Sequence, residues 1–191
     1  MDSLPYSEYY GRSRMTQLHL LSITEREAYF DATAAELKIS FQIIEKDFWV
    51  VWILERLFSL SELKDHITFK GGTSLSKVYG VIQRFSEDVD LSIEKEFFGF
   101  DKFNDPENAP SKKKQRAMLS DLAVACSDYV QNKLVTILSR AISEKLGTSD
   151  AWQLEIDMDD PDGQTLQFKY PSTTKENAYI RPSVKIELGA R

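Results

Sequence analysis

Asp88 and Asp90 stand two residues apart in the run Ser86-Glu87-Asp88-Val89-Asp90-Leu91-Ser92-Ile93. In an extended strand, side chains at i and i+2 leave from one face, so the two aspartates share a side and Val89, Leu91 and Ile93 take the other. That spacing offers two hard carboxylate ligands to Mg²⁺ (or Mn²⁺) while the apolar face anchors the strand. Like charges this close repel unless a cation lies between them. Upstream, Gly71-Gly72-Thr73-Ser74 follows the apolar run Ile67-Thr68-Phe69. A glycine turn that opens a helix points unpaired backbone N–H groups at an anion, and the helix dipole favours the charge. A phosphate cradle beside metal ligands is chemistry on a nucleoside triphosphate.

A third acid comes from the last apolar alternation, residues 179–188, where Val184, Ile186 and Leu188 take one side and Ser183, Lys185 and Glu187 the other. If this strand lies beside the Asp88 strand, Glu187 completes a three-carboxylate cluster able to hold two Mg²⁺ between triphosphate oxygens and an attacking hydroxyl. Glu187 is otherwise paired with Lys185 or exposed, and Asp157 or Glu155 could take its place. Other chemistries fail on spacing. Ser76 precedes Lys77 where a Walker loop needs glycine, and the third glycine of a dinucleotide fingerprint is missing. Residues 157–163 fail as a calcium loop because Pro161 falls on a ligand position and Gly163 comes one place late, leaving an acidic turn. His19 and His66 have no partner at zinc spacing, and no Gly-x-Ser-x-Gly elbow occurs. A glycosyltransferase Asp-x-Asp site leaves the glycine turn without a role.

The elements that must position these residues read as one domain. The chain has 191 residues, 42% hydrophobic and 12% aromatic, enough for a single well-packed core. Residues 1–23 form a polar tail. Thr24-Glu25-Arg26-Glu27 reads as a capping box starting a helix to about residue 37, and Ser40 can cap a second over 41–58, apolar almost all round. A short strand over 66–70 precedes the glycine turn, and Leu75, Val78, Tyr79 and Ile82 mark a helix after it. Residues 97–111 read as a loop. A long helix over 111–146 carries the stripe Met118, Leu122, Ala125, Tyr129, Leu134, Leu138, Ala141 and Leu146, with Gly147 as its C-cap. Trp152, Leu154, Ile156 and Met158 alternate on one strand and Leu166, Phe168 and Tyr170 on the next, so the turn Asp160-Pro161-Asp162-Gly163 makes them a hairpin. The order predicts an α/β (α+β) fold, a mixed sheet with helices mostly on one face and an N-terminal helical segment over 24–60.

The longest apolar run, residues 48–54, is too short to cross a bilayer, and no signal pattern opens the chain. A lone cysteine, Cys126, reads as a buried helix residue and fits a reducing cytoplasm. The net charge of −6 argues against a general nucleic-acid binder. Lys112, Lys113, Lys114 and Arg116 form the dense positive run, read as a solvated helix start with a phosphate-backbone contact as the alternative.

Taken together, Phe69-Lys70-Gly71-Gly72-Thr73-Ser74-Leu75-Ser76-Lys77 and Arg84-Phe85-Ser86-Glu87-Asp88-Val89-Asp90-Leu91 resemble the AbiEii/AbiGii-toxin family of nucleotidyltransferases, in the DNA-polymerase-β-like superfamily. Glu45-Lys46-Asp47-Phe48-Trp49-Val50 and Val184-Lys185-Ile186-Glu187 look like that family too, so the resemblance runs from about residue 44 to the end. It implies a single nucleotidyltransferase core, with the sheet and long helix in residues 66–191. Carried over by position, Gly71, Gly72, Thr73 and Ser74 hold the triphosphate, Lys77 and Arg84 contact phosphate, and Ser86 orders the metal loop. Asp88, Asp90 and Glu187 bind the metal, Glu187 also serving as base for the acceptor hydroxyl. The resemblance further implies an NTP substrate, a tRNA or other RNA acceptor, a cognate antitoxin and a toxin–antitoxin or abortive-infection role without a membrane. The family continues past its Lys-x-Glu strand into a helical region, whereas this sequence stops at Leu188-Gly189-Ala190-Arg191. The expectation is a core lacking that C-terminal helical domain. Two alternatives remain: a small-molecule (aminoglycoside-like) nucleotidyltransferase and a truncated, inactive domain that binds a partner protein.

Overall fold

The computed structural model describes residues 17–70, 88–148, 150–173 and 181–191. Five strands form one sheet: β1 (Ile67–Lys70), β2 (Asp88–Ile93), β3 (Gln153–Ile156), β4 (Thr165–Lys169) and β5 (Ser183–Ala190), in the order β1-β2-β5-β4-β3. β2 and β5 run parallel at its centre, and the other neighbours are antiparallel. A parallel pair needs a crossover. Here the long helix and the β3–β4 hairpin lie between the two strands in the chain. The mixed sheet and the N-terminal helices agree with the architecture expected from the sequence.

Helix α1 (Ile23–Leu37) has its N-cap two residues before the expected box. Ser22 is its N-cap: the Ser22 side chain accepts from Glu25 N at 3.3 Å, and Glu25 Oε2 accepts from Ser22 N at 2.9 Å. The box is thus Ser22/Glu25 rather than Thr24/Glu27, because Ser22 is the residue with extended backbone next to the first free N–H groups. Helix α2 (Phe41–Ser59) follows Ser40, whose side chain makes no capping bond. Its Phe48, Trp49, Val50, Trp52, Ile53 and Leu57 are buried, as its apolar circumference requires. No helix among the described residues is long and apolar enough to cross a membrane.

The long helix runs as α3 (Lys112–Tyr129), a π-helical turn (Val130–Leu134) and α4 (Val135–Leu146), with Gly147 as C-cap. Its buried line, Met118, Leu122, Cys126, Val130, Leu134, Leu138 and Ile142, advances by four residues. On a regular 3.6-residue helix such a line drifts by about 40° per step. The wider π turn slows that drift and keeps Val130 and Leu134 in the core. The expected stripe therefore holds at Met118, Leu122, Leu134 and Leu138, while Cys126, Val130 and Ile142 replace Ala125, Tyr129 and Ala141 as the fully buried members.

One face of the sheet is apolar. Val89, Leu91, Ile93, Leu166, Phe168, Val184, Ile186 and Leu188 join Trp49, Ile53, Leu134 and Leu138 in one core. Trp49 stacks on Tyr170 with centroids 5.5 Å apart, and Trp52 on Phe168 at 5.7 Å. Each such side chain contributes about 1.5–3 kcal/mol on burial, so this face holds the strands in place. Three expectations shift at element ends. β3 stops at Ile156, leaving Met158 88% exposed, because Asp157 accepts from Asp159 N and turns the chain. β5 begins at Ser183 and runs on to Ala190, continuing its pairing with β2. The loop after β2 contains two 3-10 turns, Lys95–Phe98 and Pro106–Asn108.

Three consecutive charged residues of α2, Glu45, Lys46 and Asp47, are buried. Glu45 accepts from Ser172 Oγ (2.7 Å), Thr173 N (2.7 Å) and Thr173 Oγ1 (3.0 Å), tying α2 to the chain beyond β4. Arg26 of α1 lies over the Trp49 ring; burial lowers its pKa and the charge of Glu45 opposes that shift.

Candidate active site

The other sheet face is polar. The parallel register pairs Asp88 with Lys185 and Asp90 with Glu187, so all four side chains leave from one face of adjacent strands. On the far side of β2, Lys70 pairs with Asp90. Val89 and Ile186, buried between them on the opposite face, fix this register: a slip by one residue would turn every apolar side chain to solvent. The strand adjacency that Glu187 needed is present. Gly71, Gly72, Thr73, Ser74, Lys77, Arg84 and Ser86, and the helix expected after the glycine turn, lie outside the described residues.

The electrostatics follow from this crowding. Burial, then the charge of Glu187 and a hydrogen bond shared with it, then the charge of Asp88, raise the Asp90 carboxyl pKa above its ordinary value; Lys185 opposes them. Lys185 Nζ lies 2.6 Å from Glu187 Oε1. That bond raises the Lys185 pKa, helped by the charges of Glu187, Asp157 and Asp88. The pairing of Glu187 with Lys185 weighed from the sequence is therefore real, and it coexists with the Asp90 contact.

Of the two hairpin acids considered as substitutes, Glu155 is excluded by topology. β3 lies three strands from β2, about 14 Å at roughly 4.8 Å per strand, and Glu155 pairs with Lys169 at 2.6 Å. Asp157 accepts from Asp159 N and Gln167 Nε2, both at 3.1 Å. It borders an open cavity of about 330 Å³ whose walls include Asp159, Asp160, Asp162, Lys185 and Glu187. Asp160 is committed to the turn, accepting from Asp162 N and Gln164 N.

Among the described residues, no group of three or more His, Cys, Asp or Glu side chains is placed to hold a metal ion. The Asp90–Glu187 pair nonetheless fits one. Burial, then crowding by Glu187 and Asp88, raises the Asp90 carboxyl pKa, and a divalent cation between the two carboxyls would relieve that repulsion. Lys185 was legible only as a neighbour of Glu187; its place between Glu187 and Asp88 depends on the β2–β5 register. Cys126 is buried, and burial raises its thiol to about 11, which leaves it inert.

A family model described as nucleotidyl transferase AbiEii toxin, type IV TA system, matches residues 52–191. That span includes Asp88, Asp90, Lys185 and Glu187 and begins after the buried Glu45–Asp47 segment. Comparisons with curated proteins and with solved structures give no match. With most of its length matched, the chain belongs to the AbiEii family of nucleotidyl transferase toxins of type IV toxin–antitoxin systems.

Proposed function

We propose that this chain transfers a nucleoside monophosphate from an NTP to an acceptor hydroxyl on RNA, tRNA being the first candidate, as a cytoplasmic toxin opposed by a cognate antitoxin. The observation that carries the reading is the pairing of Asp90 with Glu187 on adjacent strands, with Asp88 on the same face. Asp90 and Glu187 hold a divalent cation in this reading, with Asp88 beside them. Mg²⁺ or Mn²⁺, when bound, supplies positive charge to the triphosphate oxygens.

The acceptor oxygen bonds to the α-phosphorus as the bond to the α–β bridging oxygen breaks, and pyrophosphate leaves with that electron pair. The hydroxyl proton passes to Glu187, which is partly exposed and ion-paired with Lys185. Lys185 balances the acid cluster while the site is without substrate. Gly71, Gly72, Thr73 and Ser74 cradle the triphosphate, with Lys77 and Arg84 on phosphate and Ser86 ordering the turn before Asp88. Catalysis is then positioning plus preorganised charge. The test is incubation with α-³²P-labelled NTPs and total RNA: label enters RNA with the parent chain and not with Asp90→Asn. Label entering RNA equally with both proteins overturns the reading.

One observation favours a second acceptor class. The cavity beside Glu187 is lined by Asp157, Asp159, Asp160 and Asp162, a setting suited to a polycationic small molecule. Label transferred to an aminoglycoside panel and not to RNA selects that reading.

A further inference from the structure

We propose that the first turns of α3 and the loop preceding it form a docking surface for single-stranded RNA. The proposal rests on the transfer reading only for the purpose of the RNA; the surface stands on charge and exposure.

The chain carries a net charge of −6, yet Lys112, Lys113, Lys114 and Arg116 are exposed together at the start of α3, and Lys102 is exposed in the loop. The first turn of α3 holds no acid. Cations at a helix start oppose the positive end of the helix dipole, so this arrangement destabilises the helix it begins. Ser111 caps the helix, accepting from Lys114 N at 3.2 Å. None of the five cations forms a salt bridge among the described residues. A broken local rule without a local gain marks a surface shaped by a partner.

The second observation is Phe103, 98% exposed on a pinned turn. Its N–H donates to Asp101 Oδ1 at 2.9 Å, and Asn104 N donates to Asp101 O at 3.0 Å. The loop is fastened by Lys95 Nζ to Asp105 Oδ1 at 2.8 Å, and by Phe100 packed on Met118 and Leu122 of α3. The ring is therefore held in solvent on a loop that packs against α3. Cations that track phosphates and an exposed ring on which a base can stack are the two parts of a single-strand site, and a duplex would hide the base faces. The cluster of Phe100, Met118 and Leu122 packs against Ala190 at the end of β5. The surface thus adjoins the strand end about 10 Å beyond Glu187, at roughly 3.3 Å per residue.

The test is fluorescence anisotropy of the full chain with a labelled oligo-U RNA, without NTP or metal, so that failure of the transfer chemistry cannot affect the result. The parent is expected to bind, with affinity falling as salt rises. Replacing Lys112, Lys113 and Lys114 by Gln should weaken binding at least tenfold at low salt and flatten the log–log salt dependence by about 2, at about 0.7 per contact. The same triple variant should melt no lower than the parent, since charges opposing the dipole are removed. Phe103→Ala should weaken binding on the order of 5- to 100-fold with an unchanged salt slope. Asp90→Asn should bind as the parent does. No binding by the parent, or equal binding by both surface variants, overturns the proposal. So does a preference for duplex RNA or for phosphatidylserine vesicles over the single strand.

Discussion

The two faces of one sheet answer to opposite demands. On one, Val89, Leu91, Val184 and Ile186 are fully or almost fully buried against α2 and α4. On the other, the same strands bring Asp88, Asp90, Lys185 and Glu187 together, with Lys185 and Glu187 about 40% exposed. Burial makes the first face the source of stability. Like charges, partly desolvated, make the second a net cost at neutral pH. The pairing of these demands within single strands shows how a costly site is sustained: the apolar residues that alternate with the acids, Val89, Leu91, Ile186 and Leu188, hold them in place.

Substitutions on the two faces should therefore separate stability from activity. The largest effect is expected from Trp49→Ala, which empties a fully buried site stacked on Tyr170; chemical denaturation should show a loss of about 3–5 kcal/mol. Next is Asp90→Asn, which should lower labelled-NTP transfer by about 100-fold or more while the folded circular-dichroism spectrum persists. A comparable loss of fold in Asp90→Asn would erase the contrast between the faces. Ile186→Val, on the core side of the same β5 strand, should cost about 0.5–1.5 kcal/mol with transfer intact.

Two smaller effects sharpen the electrostatic half. Lys185 holds the Asp90 pKa down against its acidic neighbours, so Lys185→Met should move the acid limb of the pH–rate profile to higher pH. An unmoved limb would mean that Asp90 ionisation does not limit the rate. The Asp90 pKa is raised in the fold, so its contribution to stability is greatest below the unfolded value near 3.8 and is lost as pH rises through the higher folded value. Asp90→Asn should accordingly raise Tm at pH 7 by about 1–2 °C, a small figure because solvent screens the group. That gain should vanish below pH 3.8.

Much of the fold was legible because its signals are local. Period-two alternation marked β2 and β5, turn chemistry marked the β3–β4 hairpin, and Gly147 ended the long helix as expected. Errors gathered where local signals compete. Ser22 and Thr24 both offer a capping hydroxyl, and Met158 continues an alternation that Asp157 breaks. The π turn had no signal short of packing, since a line of apolar residues four apart reads as an ordinary helix. Glu45 meets Ser172 and Thr173 across more than a hundred residues of chain, beyond the reach of any local pattern.

The sequence by itself determined which residues share a face: Asp88 with Asp90, and Lys185 with Glu187, because side-chain direction in a strand follows from backbone geometry alone. It also determined the family, through strings long enough to be specific. Only the tertiary structure decided that β5 lies parallel beside β2, that Asp90 meets Glu187 while Glu155 stands three strands away, and that Lys185 lies within the acid cluster. Strand order and register are set by how the apolar faces pack on α2 and α4, a sum over residues distant in the chain.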